Sequence, residues 1–264
     1  MTASAVDTDV DLERRFGGLR RLYGDDAYAR VRSARIAVVG LGGVGSWAVE
    51  ALARSGVAEL VLFDLDHVAE SNINRQVQAL TPTLGQAKTQ ALAQRVALIH
   101  PGCRVHEVDD FVQPDNWPAL LPMPVDVLID ACDQVKAKAA LAGWALQQQV
   151  PLVCVGAAGG KRHGELVALD DLADTTHDPL LASLRQRLRK AGVAPRQGRM
   201  GVRCVYSREP VVRPQDQGCD IASPGAALAC AGYGSTVTVT ATFGLVAAGA
   251  AIEQRLAQGN LAKR

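Results

Sequence analysis

Short apolar runs alternate with longer amphipathic segments through the first 155 residues of the chain. The apolar runs predict strands near residues 35–40, 58–64, 103–108, 125–130 and 151–155. The segments between them predict helices near residues 44–56, 85–100 and 134–149. This alternation is typical of a mainly parallel, doubly wound sheet with right-handed crossovers, so we expect a Rossmann-like α/β core.

The second half of the chain has a different character. Residues 185–213 hold nine basic residues against one acid, Glu209, which is a local net charge of +8 where the whole chain carries +1. Residues 226–252 are apolar, uncharged and rich in small side chains. We therefore distinguish a core with an N-terminal helix, residues 1–160, from an appended C-terminal α+β region, residues 161–264, within one continuous structural unit.

The apolar segment 226–252 is long enough to span a bilayer. It lacks large aliphatic side chains over much of its length and contains Tyr233, Ser235 and several threonines. Because a helix that is apolar on all sides is also typical of a buried core or a dimer interface, we favour that interpretation over membrane association. The acidic N-terminus lacks a signal-peptide pattern, and cysteines without a disulfide pattern fit the cytoplasm.

A glycine-rich turn follows the first predicted strand. It runs through Gly40, Gly42, Gly43 and Gly45, and a helix-forming segment starts directly after it. Because glycine has no side chain, phosphate oxygens can approach the backbone N–H groups of such a turn, and the helix adds the positive end of its dipole. The turn predicts a nucleotide site, and by itself a turn of this spacing usually indicates a dinucleotide cofactor such as NAD.

Charged residues after the next strands narrow the choice of nucleotide. Asp64 and Asp66 follow the second strand, where an acidic residue commonly meets a ribose hydroxyl. Arg75 and Lys88 then supply two cations, which suit a triphosphate better than the pyrophosphate of a dinucleotide. Asp133 follows the fourth strand and is the candidate carboxylate for Mg²⁺. We expect the turn and these side chains to converge at the carboxyl edge of the sheet.

Five motifs, GLGGVG, LFDLD, SNINRQ, GQAK and DACD, occur in this order along the chain. Their order and spacing resemble the ATP-dependent carboxylate-activating family of MoeB, ThiF and the ubiquitin-activating enzymes. The phrases RFGGLRRLYG, CRVHEVDDFVQPDN and CAGYGSTVTVTATFG resemble one group in that family, the tRNA threonylcarbamoyladenosine dehydratases (TcdA or CsdL). The resemblance adds Asn72, Asn74 and Gln76 to the nucleotide-binding residues and implies catalytic roles for Asp133, Arg75 and Lys88.

The resemblance implies a reaction on threonylcarbamoyladenosine beside the tRNA anticodon. ATP would activate the free carboxylate of this nucleoside, as an acyl adenylate by family precedent or else by transfer of the γ-phosphate. The carbamoyl group would then attack the activated carbonyl and close a ring, with net loss of water. The cofactors implied are ATP and Mg²⁺, with a monovalent cation, Na⁺ or K⁺, as a further candidate.

The resemblance also implies partners. The first is tRNA, and no role for DNA is implied. The others are a second copy of the chain, in a homodimer, and a cysteine desulfurase with its sulfur-acceptor partner. In related dimers an arginine of the N-terminal helix reaches the ATP of the other subunit. The corresponding phrase differs here, with RFGGL in place of RYNRQ, so Arg21 is the candidate for this role.

The spacing of the cysteines argues against a structural zinc site. Many MoeB- and ThiF-like relatives hold a structural zinc in two CxxC pairs, and this sequence contains no CxxC, so we expect no zinc. Cys103, Cys132 and Cys154 lie in or beside apolar runs and are interpreted as small core residues. Cys219 and Cys230 match cysteines of the resembled enzymes. Cys230 is the candidate reactive thiol, although a cyclising dehydration needs no thiolate nucleophile.

The basic segment has two interpretations. From charge alone, a solvated basic helix fits residues 185–213 as well as a surface that binds a polyanion does. With tRNA implied as the substrate, we favour contact with phosphates. The candidate tRNA-binding residues are Arg185, Arg187, Arg189, Lys190, Arg196 and Arg199.

Two other functions stay open at this point. One is an adenylyltransferase that activates a ubiquitin-like sulfur-carrier protein in molybdopterin or thiamine synthesis. The other is a nucleotide-binding scaffold in sulfur transfer without chemistry of its own. The missing CxxC pairs and the basic insertion argue against the first, and the intact Asp133, Arg75 and Lys88 argue against the second.

Overall fold

The computed structural model describes residues 10–212 and 233–261. Within these residues seven strands form one sheet in the order β3-β2-β1-β4-β5-β7-β6. The strands are β1 (Arg35–Val39), β2 (Glu59–Phe63), β3 (Arg104–Val108), β4 (Val127–Asp130), β5 (Leu152–Val155), β6 (Val167–Asp171) and β7 (Arg203–Ser207). The α-helices are α1 (Leu12–Tyr23), α2 (Asp25–Arg32), α3 (Gly45–Arg54), α4 (Lys88–Ile99), α5 (Val135–Gln148), α6 (Pro179–Lys190) and α7 (Val237–Leu261).

The predicted parallel core is confirmed. Strands β3, β2, β1, β4, β5 and β7 pair in parallel, and only the β6–β7 pair is antiparallel. The five strands and three helices predicted for the first half are all present. Helix α4 begins three residues later than predicted because the chain before it pairs with the segment around Val68, where Gly85 N–H donates to the Val68 carbonyl.

The central strands of the sheet are buried on both faces, and β1 shows how. Ile36 and Val38 point into a cluster with α3, α4 and α7, whereas Ala37 and Val39 point into a second cluster with α5 and α6. Since successive side chains of a strand point to opposite faces, a strand covered on both sides reads as a continuous apolar run. This explains why the sequence pattern in the core strands is apolar throughout and not alternating.

The C-terminal α+β region continues the same sheet. Strand β7 pairs in parallel with β5, and β6 then pairs with β7 at the edge. The division that we draw near residue 160 falls between β5 and β6. Helix α6 begins at an N-cap, Asp178, whose carboxylate accepts from the backbone N–H groups of Leu181 and Ala157. The same carboxylate therefore fixes both the start of α6 and the chain that leaves β5.

Helix α7 corresponds to part of the apolar segment, whose residues 226–232 lie outside the described residues. Its span Val237–Gln258 is long and apolar enough to cross a membrane, but half of that window is buried within the protein. Val239, Phe243 and Ala247 belong to the core cluster on the α3 side of the sheet. The interpretation of the segment as a core helix therefore accounts for its composition.

The contact between α7 and α3 leaves no room for a side chain at Gly244. A Cβ at this position would lie 2.5 Å from the Val44 carbonyl oxygen and 2.9 Å from the backbone N of Ala48. Val44 and Ala48 belong to the first turn of α3, directly after the glycine turn. The close approach of α7 to α3 therefore supports the glycine turn on the side of the turn that faces α7.

We expect Gly244→Ala to destabilise the protein by roughly 1–3 kcal/mol, because the added methyl group overpacks a backbone-to-backbone contact. Chemical denaturation followed by circular dichroism measures this change. The matched control is Gly249→Ala in the same helix, where an added Cβ meets no atom within 4 Å. The control should keep or slightly raise stability, since alanine favours helix over glycine. Equal effects of the two substitutions would contradict the packing role of Gly244.

Candidate nucleotide-binding and active site

A cavity opens at the carboxyl ends of β1, β2, β4 and β5, the edge at which the sequence predicts a nucleotide. Its wall contains most of the predicted binding residues: Gly40, Gly42, Gly43, Asp64, Asp66, Asn72, Arg75, Gln76, Lys88 and Asp133. Gly45 and Asn74 are outside this wall. Open parallel sheets bind ligands in such a crevice, where neighbouring crossovers leave in opposite directions.

The glycine turn forms the centre of the cavity wall. Some of its glycines are required by close backbone packing, and others face open space. Gly40 has φ = 84°, and a Cβ on it would lie 2.9 Å from the backbone of Ala131. A Cβ on Gly45 would collide with the Gly40 carbonyl oxygen. These two glycines allow strands and helix to approach, whereas Gly42 faces open space. The predicted contact of Gly45 with the nucleotide stays a prediction, and its observed role is packing.

Asp64 holds the turn in place. Its side chain is 6% exposed, and one oxygen accepts from the Leu41 N–H at 2.6 Å while the other accepts from the Asp66 N–H at 2.9 Å. Burial raises the pKa of Asp64, and Lys88 and these two N–H groups oppose the increase. Asp64 is therefore a structural support of the turn as well as a candidate for the ribose.

Lys88 is a buried cation at the same place. Its Nζ lies 2.6 Å from an Asp66 oxygen and 3.7 Å from an Asp64 oxygen, and the side chain is 7% exposed. A buried charge of this kind requires partners, and two carboxylates supply them here. Asp66 is 56% exposed at its side chain and so is the more accessible of the two carboxylates. A ligand phosphate that approaches Lys88 would share it with Asp66.

Arg75 is positioned by a loop that packs on α3. Its guanidinium donates to the Ser71 carbonyl at 2.7 Å and to Asn74 Oδ1 at 3.0 Å, and its own carbonyl accepts from Trp47 Nε1 at 2.9 Å. Asn74 also donates from Nδ2 to the Ser235 carbonyl at 3.1 Å. Asn74 thus orients Arg75 and connects its loop to the start of α7, which explains its place outside the cavity wall.

Asp133 lies in the turn between β4 and α5, above a buried ion pair. Asp130 and Lys138 are both fully buried, and Lys138 Nζ lies 3.1 Å from Asp130 Oδ1 and 2.7 Å from the Val155 carbonyl oxygen. Burial alone would lower the pKa of Lys138, but Asp130 raises it above its ordinary value. Asp130 Oδ1 also accepts from the Cys132 N–H at 3.2 Å, so this pair fixes the turn that presents Asp133.

One wall of the cavity is absent from our sequence-based set of site residues. It consists of the chain after β5, the start of α6 and the first turn of α7: Gly156, Ala157, Ala158, Gly159, Leu180, Ser235 and Thr240. The glycines after β5 and the threonine-rich phrase at the start of α7 are visible in the sequence. Small and apolar residues give no chemical signal on their own, so their place beside the glycine turn appears only in the fold.

Comparison with known proteins identifies the family. The family model described as "ThiF family" matches residues 15–261. The tRNA threonylcarbamoyladenosine dehydratase of Escherichia coli K12 is 44% identical, with 93% of this chain and 94% of the relative covered. The chain belongs to the ThiF family, in the group of these dehydratases. The enzyme of that name from Haemophilus influenzae is 43% identical over 92% of this chain and 94% of its own length.

A solved structure of a dehydratase from this group has the same fold as this chain. The E. coli dehydratase TcdA in complex with ATP superposes with a TM-score of 0.84 at 42% identity, covering 94% of this chain and 96% of that chain. The resemblance to TcdA that we inferred from sequence motifs is confirmed, as is the Rossmann-like fold.

The remaining predicted residues of this ThiF-family chain are distributed over its surface. Arg21 is exposed in the last turn of α1 and outside the cavity wall. In the basic segment, Arg185 donates to the carbonyls of Leu172 at 3.1 Å and Thr175 at 3.0 Å and so braces the loop before α6. The exposed candidates for tRNA are Arg187, Lys190, Arg196 and Arg199, whereas Arg189 is half-buried.

The described cysteines are poor nucleophiles. Cys154 and Cys204 are buried, and Cys103 and Cys132 are half-buried. Burial raises the pKa of Cys132 well above its ordinary value and that of Cys103 to about 12, so both stay protonated at neutral pH. Cys219 and Cys230 lie outside the described residues, and the reactivity of Cys230 stays a prediction.

We expect Lys88→Met to weaken ATP binding about tenfold or more, because a charge-assisted contact is lost and Asp64 and Asp66 are left without their cation. Isothermal titration calorimetry with ATP measures the change. The control Lys136→Met removes an equal charge from an exposed position on α5 outside the cavity wall. Unchanged ATP affinity in a folded Lys88→Met protein would remove Lys88 from the phosphate site.

Proposed function

We propose that this protein is an ATP-dependent tRNA threonylcarbamoyladenosine dehydratase. The observation that supports this most strongly is a phosphate-binding turn flanked by Arg75, Lys88 and Asp133, in a chain similar over nearly its full length to dehydratases of that name. The substrate is the free carboxylate of threonylcarbamoyladenosine beside the anticodon. ATP converts that poor electrophile into an activated acyl group.

The cavity divides into parts that suit the parts of ATP. Asp64 and Asp66 at the end of β2 suit the ribose, and Phe63 and Phe111 provide apolar surface beside them for the base. The glycine turn and the start of α3 supply N–H donors for phosphate oxygens, and Arg75 and Lys88 add positive charge. The acid would then enter from the side of β4 and β5.

A magnesium ion fits the donor set when ATP is bound. The described residues contain no group of three or more metal-ligating side chains that could hold an ion alone. Mg²⁺ on a nucleotide is commonly held by one or two carboxylates, phosphate oxygens and water, and Asp133 on the cavity wall offers such a carboxylate. When bound, the ion would offset charge that builds up on the phosphates.

The reaction follows from these positions. A carboxylate oxygen of the substrate attacks the α-phosphorus, the bond to the bridging oxygen of the β-phosphate breaks, and pyrophosphate leaves. Arg75 and Lys88 stabilise the charge that develops on the phosphates. The carbamoyl group of the same nucleoside then attacks the acyl carbon and loses a proton, and AMP leaves with the former carboxylate oxygen. The sum is loss of one water from the nucleoside and hydrolysis of ATP to AMP and pyrophosphate.

The exposed basic residues of α6 and the following loop support tRNA as the substrate. Leu180 at the start of α6 lines the cavity, and Arg187 and Lys190 are exposed further along the same helix. A helix rises 1.5 Å per residue, so Lys190 lies about 15 Å along the axis from Leu180. A nucleotide in the cavity would therefore have neighbouring backbone phosphates within reach of these cations.

Further assignments follow from the family and are part of this proposal. They are the Mg²⁺ ion, a monovalent cation, a homodimer in which Arg21 reaches the neighbouring ATP, a cysteine desulfurase with its acceptor as partner, and a cytoplasmic location. Arg21 is exposed on α1, as a residue that reaches another subunit must be.

The central test is incubation of tRNA that carries threonylcarbamoyladenosine with the protein, ATP and Mg²⁺. We expect nucleoside mass spectrometry to show loss of one water, with AMP and pyrophosphate as the other products. Release of ADP instead would replace the adenylate by an acyl phosphate. If the nucleoside is unchanged, and a carrier protein with a C-terminal Gly-Gly stimulates pyrophosphate exchange, the adenylyltransferase function is correct instead.

The role of the basic surface is tested by replacing Arg187 and Lys190 with alanine together. Each lost phosphate contact should reduce the slope of log K against log salt by about one, so tRNA binding should weaken and its salt slope should fall by about two. Filter binding over a range of salt concentrations measures both. Arg14→Ala, at an exposed position on α1, is the control. An unchanged slope would exclude this surface from tRNA binding; Arg185 is left intact because it braces a loop.

A further inference from the structure

Two glutamines form a buried, hydrogen-bonded pair beside the glycine turn. Gln78 is 1% exposed, and its Nε2 donates to the Leu41 carbonyl at 3.1 Å and to Gln76 Oε1 at 3.0 Å. Leu41 directly follows Gly40 in the turn, and its own N–H donates to Asp64. Gln76 lines the cavity, whereas Gln78 is outside the cavity wall. Gln78 therefore connects the backbone of the turn to a side chain of the wall.

The Leu41 carbonyl determines how both amides are oriented. A carbonyl oxygen only accepts hydrogen bonds, so the Gln78 atom next to it must be the amide nitrogen. The same nitrogen contacts the amide of Gln76, and its partner there must therefore be the oxygen. Gln78 Oε1 is enclosed without a partner in the part of the chain that the structure describes, so the nitrogen alone fixes this orientation.

This orientation leaves the Gln76 nitrogen as an available donor at the cavity. The oxygen and nitrogen of a planar amide point in different directions, so Nε2 of Gln76 points away from Gln78. Among the described residues this nitrogen has no hydrogen-bond partner, and it is not one of the side-chain atoms that are enclosed without one. It is therefore accessible, although Gln76 as a whole is only 5% exposed, and the space that Gln76 lines is the cavity. An accessible donor on a buried side chain indicates a ligand atom as its acceptor.

The neighbours of Gln76 indicate an anionic ligand. Arg75, the preceding residue, packs on the glycine turn, with its Cγ 3.2 Å from the place that a Cβ of Gly43 would occupy. Backbone N–H groups of the turn and the Arg75 cation suit phosphate oxygens, and an amide N–H adds a further donor to them. An amide oxygen in the same place would repel a phosphate.

From this arrangement we propose that Gln78 is a positioning residue for ATP. It holds the Gln76 amide so that the N–H groups of Gln76, and not its oxygen, face the phosphates. The inference rests on the proposed function for its ligand, ATP, and on no step of the reaction with tRNA. A fixed donor of this kind binds more tightly than one that must first turn round, because the protein has already met the cost of orienting it.

The test is a double-mutant cycle in which calorimetry measures the Kd for ATP with Mg²⁺. We expect Gln76→Met to raise the Kd about tenfold or more, as for loss of a hydrogen bond to a charged group. Gln78→Met should raise it about threefold to tenfold, because the Gln76 amide then lacks the partner of its oxygen. The double variant should match Gln76→Met alone within about twofold, since Gln78 acts through Gln76. Gln78→Leu replaces the methionine variant if the latter does not fold.

Gln86→Met is the matched control, since Gln86 is a half-buried glutamine outside the cavity wall, and it should leave the Kd unchanged. The inference is overturned if Gln78→Met binds ATP as the wild type does. It is also overturned if the two single effects multiply in the double variant, because Gln78 then acts on the turn through Leu41 alone. A wild type that binds ATP and converts no tRNA contradicts the proposed function, and the cycle still decides this inference. A wild type that binds no ATP overturns both.

Discussion

The structure depends on a point where three pieces of backbone meet without side chains between them. Gly45 at the start of α3 rests against the Gly40 carbonyl, Gly40 rests against the backbone after β4, and Gly244 of α7 rests against the first turn of α3. A Cβ at any of these positions would collide with backbone atoms, which cannot move aside as a flexible side chain can. The glycine turn is thus held by the strand, the neighbouring crossover and a helix from the far end of the chain.

Two sets of buried charged groups near this point support the glycine turn and the neighbouring turn after β4. The Asp64 carboxylate fixes Leu41, and the Asp130–Lys138 pair fixes the residues before Asp133. A buried ion pair is weak evidence for stability, because desolvation offsets much of the attraction. Its effect here is geometric, since it fixes where the ends of the core strands present their functional side chains.

The basic helix and the active-site cavity are joined by one carboxylate. Asp178 caps α6 and also accepts from the Ala157 N–H in the cavity wall. A Cβ on Gly156 would collide with this carboxylate, so the wall and the helix must lie close together. If the basic helix binds RNA as we propose, one substrate must occupy both this helix and the cavity, and a fixed separation between them is required. The short connection through Asp178 holds the start of the helix and the cavity wall at such a separation.

The sequence alone determined the parallel core, the nucleotide turn and the order of Asp64, Arg75, Lys88 and Asp133 around it. Strands buried on both faces read as apolar runs, and glycine spacing records where no side chain fits, so these features are local. The tertiary structure alone decided that Asn74 braces Arg75, that Arg185 braces a loop, and that Thr240, more than 160 residues after Arg75, completes the cavity. The physical reason is that packing decides whether a polar side chain meets the protein's own carbonyls or faces a ligand, and residue type is the same in both cases.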